Sequence, residues 1–231
     1  LGVHDLVFND EHWIRISSEE ADHFLGEVEA LDDLINNKWN GVRVGRFAVS
    51  SFMRATRQGT INLKNHKVRT SLRSYIKKSM AACKRAQSIL DKTCPNAVTL
   101  NDRGYTPGGE LFDLCMERDI PVINWIAGHK NGCFILKRYT KENRDHHPAS
   151  LSEISWARLR GMELEINLKE KTIGEIQRCY ATGEWFAEVA TQVGRGLVEP
   201  EEVEKQLNLD TQKKTACIFS HIFWDATFFW G

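Results

Sequence analysis

The sequence lacks the features that would place it among membrane-spanning, zinc-binding or nucleic-acid-binding proteins. No apolar run approaches the roughly 20 residues that a helix needs to cross a bilayer. Lys and Arg together number 31, as do Asp and Glu, so no net charge attracts nucleic acid or anionic lipid. The six cysteines are scattered, without a C-x-x-C pair or zinc-ligand spacing. We therefore expect a cytoplasmic protein with free thiols and with no metal, cofactor or nucleic-acid partner.

The first ninety residues are dominated by helical patterns. Ser17-Ser18-Glu19-Glu20 has the form of a capping box and predicts a helix over 17–37. A short strand is predicted at 42–47, followed by a polar, basic passage. The spacing of apolar residues predicts a long helix over 67–92 whose other side is strongly basic. That basic side is either a solvated face or a patch for a phosphate-bearing or acidic partner.

The middle of the chain has the pattern of a βαβ unit. A strand at 97–100 leads through a glycine-rich loop into a helix at 110–118, and a second strand follows at 121–125. This order predicts an α/β fold, a Rossmann-like three-layer domain with a parallel sheet. Further elements are predicted at 133–136 (extended), 150–156 (helix start), 162–181 (helix), 199–207 (helix) and 216–219 (strand).

Three loops follow predicted strands, at 101–109, 126–132 and 220–231. In open α/β sheets ligands bind outside the carboxyl ends of the strands, so we expect a site where these loops meet. Asp102, just after the first strand, is a candidate general base toward a hydroxyl nucleophile. Its alternative role is an Asx-turn or a helix cap. Tyr105 lies in the same loop and is a candidate substrate contact.

Gly108 and Gly109 stand where the next helix begins, and backbone amides there could hold a phosphate. His129, in the second loop, is a candidate proton shuttle or hydrogen-bond donor to a phosphate, or an ordinary loop histidine. His221 and Asp225 are four residues apart, so in a helical turn Asp225 could orient His221. The aromatic residues around them are equally typical of a packed hinge.

Two adjacent cations form the last candidate group. Lys137 and Arg138 precede Tyr139, and arginine prefers planar anions such as phosphate or carboxylate. We interpret the pair as substrate-binding residues, with a solvated turn as the alternative.

The last residues are unusually aromatic. Five of the eight residues at 223–230 are Phe or Trp, and such an apolar tail would promote aggregation if exposed. We therefore expect the chain to continue in the intact protein, with a second domain beginning near this point.

Several stretches resemble bacterial surface-carbohydrate glycosyltransferases of the capsule polysaccharide biosynthesis type. The most specific is 219–231, which has the form F-x-H-x-x-W-D-A-x-x-F-x-G. The others are Gly104-Tyr105, Gly108-Gly109, 120–123, 136–140, 142–144, 147–148, 150–152 and Trp156. The resemblance covers the chain from about residue 41 to residue 231.

The resemblance implies a two-domain GT-B architecture. Residues 1–212 would be the acceptor-side, Rossmann-like domain, and 213–231 would begin the donor-binding domain. The partners would be a nucleotide sugar and a glycan acceptor, with peripheral contact at the inner face of the cytoplasmic membrane or with an assembly complex. Such enzymes usually need no metal, because protein cations and a helix N-terminus stabilise the leaving phosphate.

Two other functions stay open at this point. One is a non-catalytic α/β binding or scaffold domain that docks through the basic side of the helix at 67–92. The other is a different nucleotide-using α/β enzyme, such as an epimerase.

Overall fold

The computed structural model describes residues 14–26, 28–128, 133–163, 166–182, 198–216 and 225. Within these residues the chain is mostly helical, with one small sheet. The elements are α1 (Ser18–Gly26), α2 (Leu31–Asn36), α3 (Val44–Thr56), α4 (His66–Thr93), β1 (Val98–Leu100), α5 (Gly108–Glu117), β2 (Val122–Ala127), β3 (Phe134–Tyr139), α6 (Glu153–Arg160), α7 (Ile166–Thr182) and α8 (Pro200–Leu207).

The sheet has the order β1-β2-β3. β1 and β2 are parallel, with Val98 opposite Val122 and Leu100 opposite Asn124. The predicted βαβ unit is therefore confirmed, and so is the general α/β class. The sheet is mixed, however, and β1 has only three residues, so the described residues do not form a clear Rossmann layer.

The strand predicted at 42–47 is wrong, because residues 44–47 belong to α3 and Val42 forms only an isolated bridge with Trp39. Val44, Phe47, Ala48 and Phe52 recur at helical spacing, and all four are buried in the main core. Phe52 packs edge-to-face on Tyr75 of α4, with 5.6 Å between ring centroids. Packing on a second helix thus outweighs the strand propensity of the local valines.

The single helix predicted at 17–37 is also wrong, although its first turn is correct. The amide of Glu20 donates to the hydroxyl of Ser17 at 3.0 Å, as a capping box requires. α1 then ends at Gly26, and α2 begins only at Leu31. The carbonyl oxygens of Leu25, in the last turn of α1, and of Val28, in the break, accept hydrogen bonds from the guanidinium of Arg69.

The basic side of α4 holds α1 in place. Arg73 forms an ion pair with Asp22, and Lys84 forms one with Glu20 at 3.4 Å. Lys77 donates to the hydroxyl of Ser18 at 3.3 Å. With Arg69 included, four cations of the basic side therefore form ion pairs or hydrogen bonds with residues of the same chain. The two predicted roles of the basic side, a solvated face and a patch for a phosphate-bearing or acidic partner, stay predictions.

The chain divides into two compact units. Unit 1 comprises Leu1–Trp125, Leu136–His147 and Ile222–Gly231, and it holds the main core. Unit 2 comprises Ile126–Ile135 and Pro148–His221 and contains α6, α7 and α8. The predicted domain boundary between 212 and 213 stays a prediction. Of the strand predicted at 216–219, residues 217–219 lie outside the described part.

Candidate functional site

The loop between β1 and α5 places Asp102 at the carboxyl end of β1. Its Oδ1 accepts the amide hydrogen of Gly104 at 2.8 Å, which forms the local turn considered for this residue. Its Oδ2 lies 3.8 Å from Nη1 of Arg54, and the side chain is 46% exposed. One oxygen of Asp102 therefore shapes the loop, while the other faces a cation at the protein surface.

Tyr105, three residues further on, joins two distant parts of the chain. The guanidinium of Arg54 lies 4.5 Å from the centre of its ring. Its hydroxyl donates a hydrogen bond to Oδ1 of Asp225, a residue 120 positions later. The predicted meeting of the first and third loops is thus present at these residues. The predicted pairing of Asp225 with His221 stays a prediction, because His221 lies outside the described residues.

Arg54 is the site residue that the sequence reasoning missed. It lies on α3 one turn after Ser51, whose Oγ accepts the amide hydrogen of Thr106 at 3.2 Å. Ser51 and Arg54 share one helix face, and the loop after β1 contacts that face through Thr106 and Asp102. The helical spacing of Val44 and Phe47 was the signal that could have revealed it.

Gly108 and Gly109 both lie where packing leaves no room for a side chain. A Cβ on Gly108 would stand 2.2 Å from the carbonyl oxygen of Asp102. A Cβ on Gly109 would stand 2.1 Å from Cδ1 of the buried Phe47. Close contact with the loop and the core therefore accounts for both glycines. Their predicted phosphate-binding role stays a prediction.

Gly109→Ala is expected to lower the free energy of unfolding by about 1–3 kcal/mol, because the new methyl group forces the Phe47 ring out of a filled core. Urea denaturation measures the change. Gly174→Ala on α7 is the control, since nothing lies within 4 Å of its Cβ. That control is expected to gain up to about 1 kcal/mol from helix propensity. An equal gain at both positions would contradict the packing explanation.

Next to the site, Arg103 is buried and fixes the segment after β3. Its guanidinium lies 4.3 Å from the ring centre of Tyr139 and 4.8 Å from that of Phe112. It donates to the carbonyl oxygens of Arg144 and His146, and the latter also accepts from the Tyr139 hydroxyl at 2.7 Å. Burial lowers the pKa of Arg103. Arg103 is thus held by stacking and backbone carbonyls.

A buried carboxylate, Asp113 on α5, binds two further arginines. Oδ1 of Asp113 accepts from Nη2 of Arg43 at 2.9 Å and from Nη2 of Arg144 at 2.7 Å. Burial alone lowers the pKa of Arg43, but the hydrogen bond and charge of Asp113 outweigh it and raise the pKa. Burial and the charge of Arg43 lower the pKa of Arg46 to about 10. Asp113 therefore ties α5 to the start of α3 and to the segment after β3.

Lys137 and Arg138 lie on opposite faces of β3, because side chains alternate along a strand. Lys137 is half-buried and donates to the carbonyl oxygen of His147 at 3.0 Å. Burial and the charge of Arg103 lower its pKa. Arg138 is exposed and lines a pocket of about 230 Å³ that Met116, Ile120 and Lys141 also line. The two cations therefore do not form the single anion-binding group that their adjacency suggested.

Two candidate catalytic residues, His129 and His221, lie outside the described residues. Cys115 is a free thiol buried in the main core. Burial raises the pKa of the Cys115 thiol to about 11 and that of Cys83 to about 12. At neutral pH these two thiols are therefore protonated and chemically inert.

In the part of the chain that the structure describes, no group of three or more His, Cys, Asp and Glu side chains could hold a metal ion. None of its helices combines the length and apolar character needed to cross a membrane. Comparison with known proteins found no matching protein family, no similar curated protein and no similar solved structure.

Proposed function

We propose that this protein is a glycosyltransferase that moves a sugar from a nucleotide-activated donor to a hydroxyl of a growing surface glycan. The observation that carries the proposal is the cluster of Arg54, Asp102, Tyr105 and Asp225 at the carboxyl end of β1. Carboxylates, an arginine and an aromatic ring at the surface are groups suited to a sugar and a phosphate. We call these four residues the β1 site.

In the proposed reaction Asp102 is the general base. Its Oδ2 accepts the proton of the acceptor hydroxyl as that oxygen bonds to the anomeric carbon of the donor. The bond from the anomeric carbon to the phosphate oxygen breaks, and the nucleotide leaves with the electron pair. In this proposal Arg54, whose Nη1 lies 3.8 Å from Oδ2 of Asp102, also stabilises the negative charge on the leaving phosphate.

Tyr105 and Asp225 have a binding role in this proposal. Asp225 accepts the Tyr105 hydroxyl hydrogen, which holds the ring under Arg54. In this proposal Tyr105 and Asp225 contact the hydroxyls of the acceptor. In this proposal His129 and His221 form hydrogen bonds with the substrates or bind the phosphate. The proposal also includes a two-domain GT-B architecture and a location in the cytoplasm, at the inner face of the membrane.

The test is a titration of UDP-, GDP-, CMP- and dTDP-sugars into the full-length protein by calorimetry, followed by mass spectrometry for glycan products. We expect one nucleotide class to bind. We also expect Arg54→Ala to weaken its binding at least tenfold. Arg57→Ala is the matched control, because Arg57 is an exposed cation directly after the same helix. A folded protein that binds none of these sugars would contradict the proposal and favour the scaffold alternative.

A further inference from the structure

The proposed reaction leaves one buried acid without a role. Glu110, in the first turn of α5, is completely inaccessible to solvent. Its Oε1 accepts the Thr106 hydroxyl hydrogen at 2.7 Å and also contacts the hydroxyl of Ser79 on α4. Its Oε2 has no hydrogen-bond partner among the described residues. A fully buried carboxyl group in this state needs a physical explanation.

The hydrogen bonds around Ser79 favour a neutral Glu110. The single Ser79 hydroxyl proton faces two acceptors, the Val44 carbonyl oxygen at 2.9 Å and Oε1 of Glu110. An ionised Glu110 would compete with Val44 for that proton. A protonated Glu110 instead donates to Ser79 while Ser79 donates to Val44, so both contacts are satisfied. Neutrality also removes the cost of a buried charge with one bare oxygen.

The electrostatic surroundings agree with this assignment. Burial raises the pKa of Glu110 to about 7, although the hydrogen bonds from Ser79 and Thr106 lower it. The ionisable groups nearby are Cys83 on α4 and Asp113 on α5 itself, and Asp113 raises the pKa further. The cations at the start of α3, Arg43 and Arg46, interact with Asp113.

Glu110 is connected to the β1 site through one residue, Thr106. The Thr106 hydroxyl binds Glu110, and its backbone amide binds Ser51 on α3. The preceding residue is Tyr105, whose hydroxyl binds Asp225. An ionised Glu110 would accept a stronger hydrogen bond from Thr106, but the cost of burying its charge outweighs that bond. Ionisation therefore favours opening to water of the loop that carries both Asp102 and Tyr105.

We propose that Glu110, as a neutral carboxylic acid, is a positioning residue that holds the loop of the β1 site in place, and that loss of its proton loosens this loop. The consequence for sugar transfer rests on the proposed function. The consequence for the loop does not, because it follows from the contacts of Glu110 alone.

The sign of the pH effect follows from the raised pKa. An acid that binds its proton more tightly when folded stabilises the fold most below its unfolded pKa, which is 4.5 for Glu. That stabilisation is lost as the pH rises to about 7 and changes little above it. The melting temperature and the order of the loop should therefore fall between pH 5 and pH 8.

The test compares wild type with Glu110→Gln, whose amide cannot ionise and whose nitrogen, placed where Oε1 lies, can donate to the hydroxyls of both Ser79 and Thr106. We expect the melting temperature of the variant to fall by several degrees less than that of wild type between pH 5 and pH 8. Hydrogen exchange of amides 102–109, corrected for intrinsic rates, is expected to accelerate at least threefold in wild type over this range and to change little in the variant. Glu117→Gln, an exposed acid on the same helix, is the control and should follow wild type.

Parallel pH profiles of Glu110→Gln and wild type, in both melting and exchange, would overturn the proposal. A flattened melting profile with unchanged exchange of the loop would also overturn it, because Glu110 would then stabilise the core without positioning the loop. If the melting and exchange profiles are as expected but the protein transfers no sugar, the positioning role of Glu110 is upheld and only the proposed function is rejected. In an active protein, kcat of Glu110→Gln should decline less than that of wild type above pH 7.

Discussion

Asp102→Asn is expected to lower kcat by about 10²–10⁴-fold, which is the usual contribution of a positioned general base. Asparagine has the size of aspartate and keeps an Oδ1 that can accept the Gly104 amide hydrogen. The turn after β1 is therefore retained, while the group that takes the proton is lost. Steady-state kinetics with the nucleotide sugar found by titration measures the effect, and thermal melting checks the fold.

A second variant, at an acid outside the β1 site, tests whether the loss of turnover is specific to Asp102. Asp91→Asn removes an exposed carboxylate that pairs with Arg118 at 2.6 Å on the surface. We expect this variant to keep wild-type kcat. If Asp102→Asn also keeps wild-type turnover and melts normally, Asp102 only shapes the loop. If Asp102→Asn loses both activity and melting temperature, the lower turnover is caused by unfolding and not by loss of the general base.

Asp113→Ala is expected to lower the free energy of unfolding by about 3–5 kcal/mol. Removing one partner of a buried ion pair leaves the other charge uncompensated, and here two arginines, Arg43 and Arg144, lose their shared carboxylate. The start of α3 also loses a contact, since the amide of Arg43 donates to Oδ2 of Asp113 at 3.3 Å. Urea denaturation at neutral pH gives the value.

The control for this variant is Asp91→Ala, which breaks a single exposed ion pair. Exposed pairs contribute about 0–1 kcal/mol, so its effect should be several times smaller. Asp113→Asn keeps the shape of the side chain and some of its hydrogen bonds. Its loss of unfolding free energy should therefore lie between those of Asp113→Ala and Asp91→Ala. A loss below about 1 kcal/mol in Asp113→Ala would mean that solvent, and not Asp113, compensates the arginines.

Local patterns predicted several elements correctly because those elements depend on neighbouring residues. The Ser17 cap needs only Glu20 at the right spacing. The apolar stripe of α4 recurs at helical spacing from Leu72 to Leu90, and the βαβ unit has a strand, a glycine-rich loop and a helix in order. The meeting of Tyr105 with Asp225 could be expected from the rule that ligand sites form beyond strand ends.

The errors fall where local preference and tertiary packing disagree. Valines near residue 44 favour a strand, yet their burial against α4 and α5 makes the segment a helix. This error hid Arg54, because the residue reaches the β1 site only from a helix face. Lys137 and Arg138 appeared to be one group in sequence, but strand alternation separates them.

The sequence by itself determined the free-thiol composition, the balanced charge, the α/β pattern of the middle segment and the candidate acids Asp102 and Asp225. Tertiary structure decided which groups meet: Arg54 with Asp102, Tyr105 with Asp225, and Glu110 with Ser79 and Thr106. Periodicity and capping act over a few residues and can be read directly. Ion pairs and buried hydrogen bonds join residues far apart in sequence, and their partners are fixed only when the core packs.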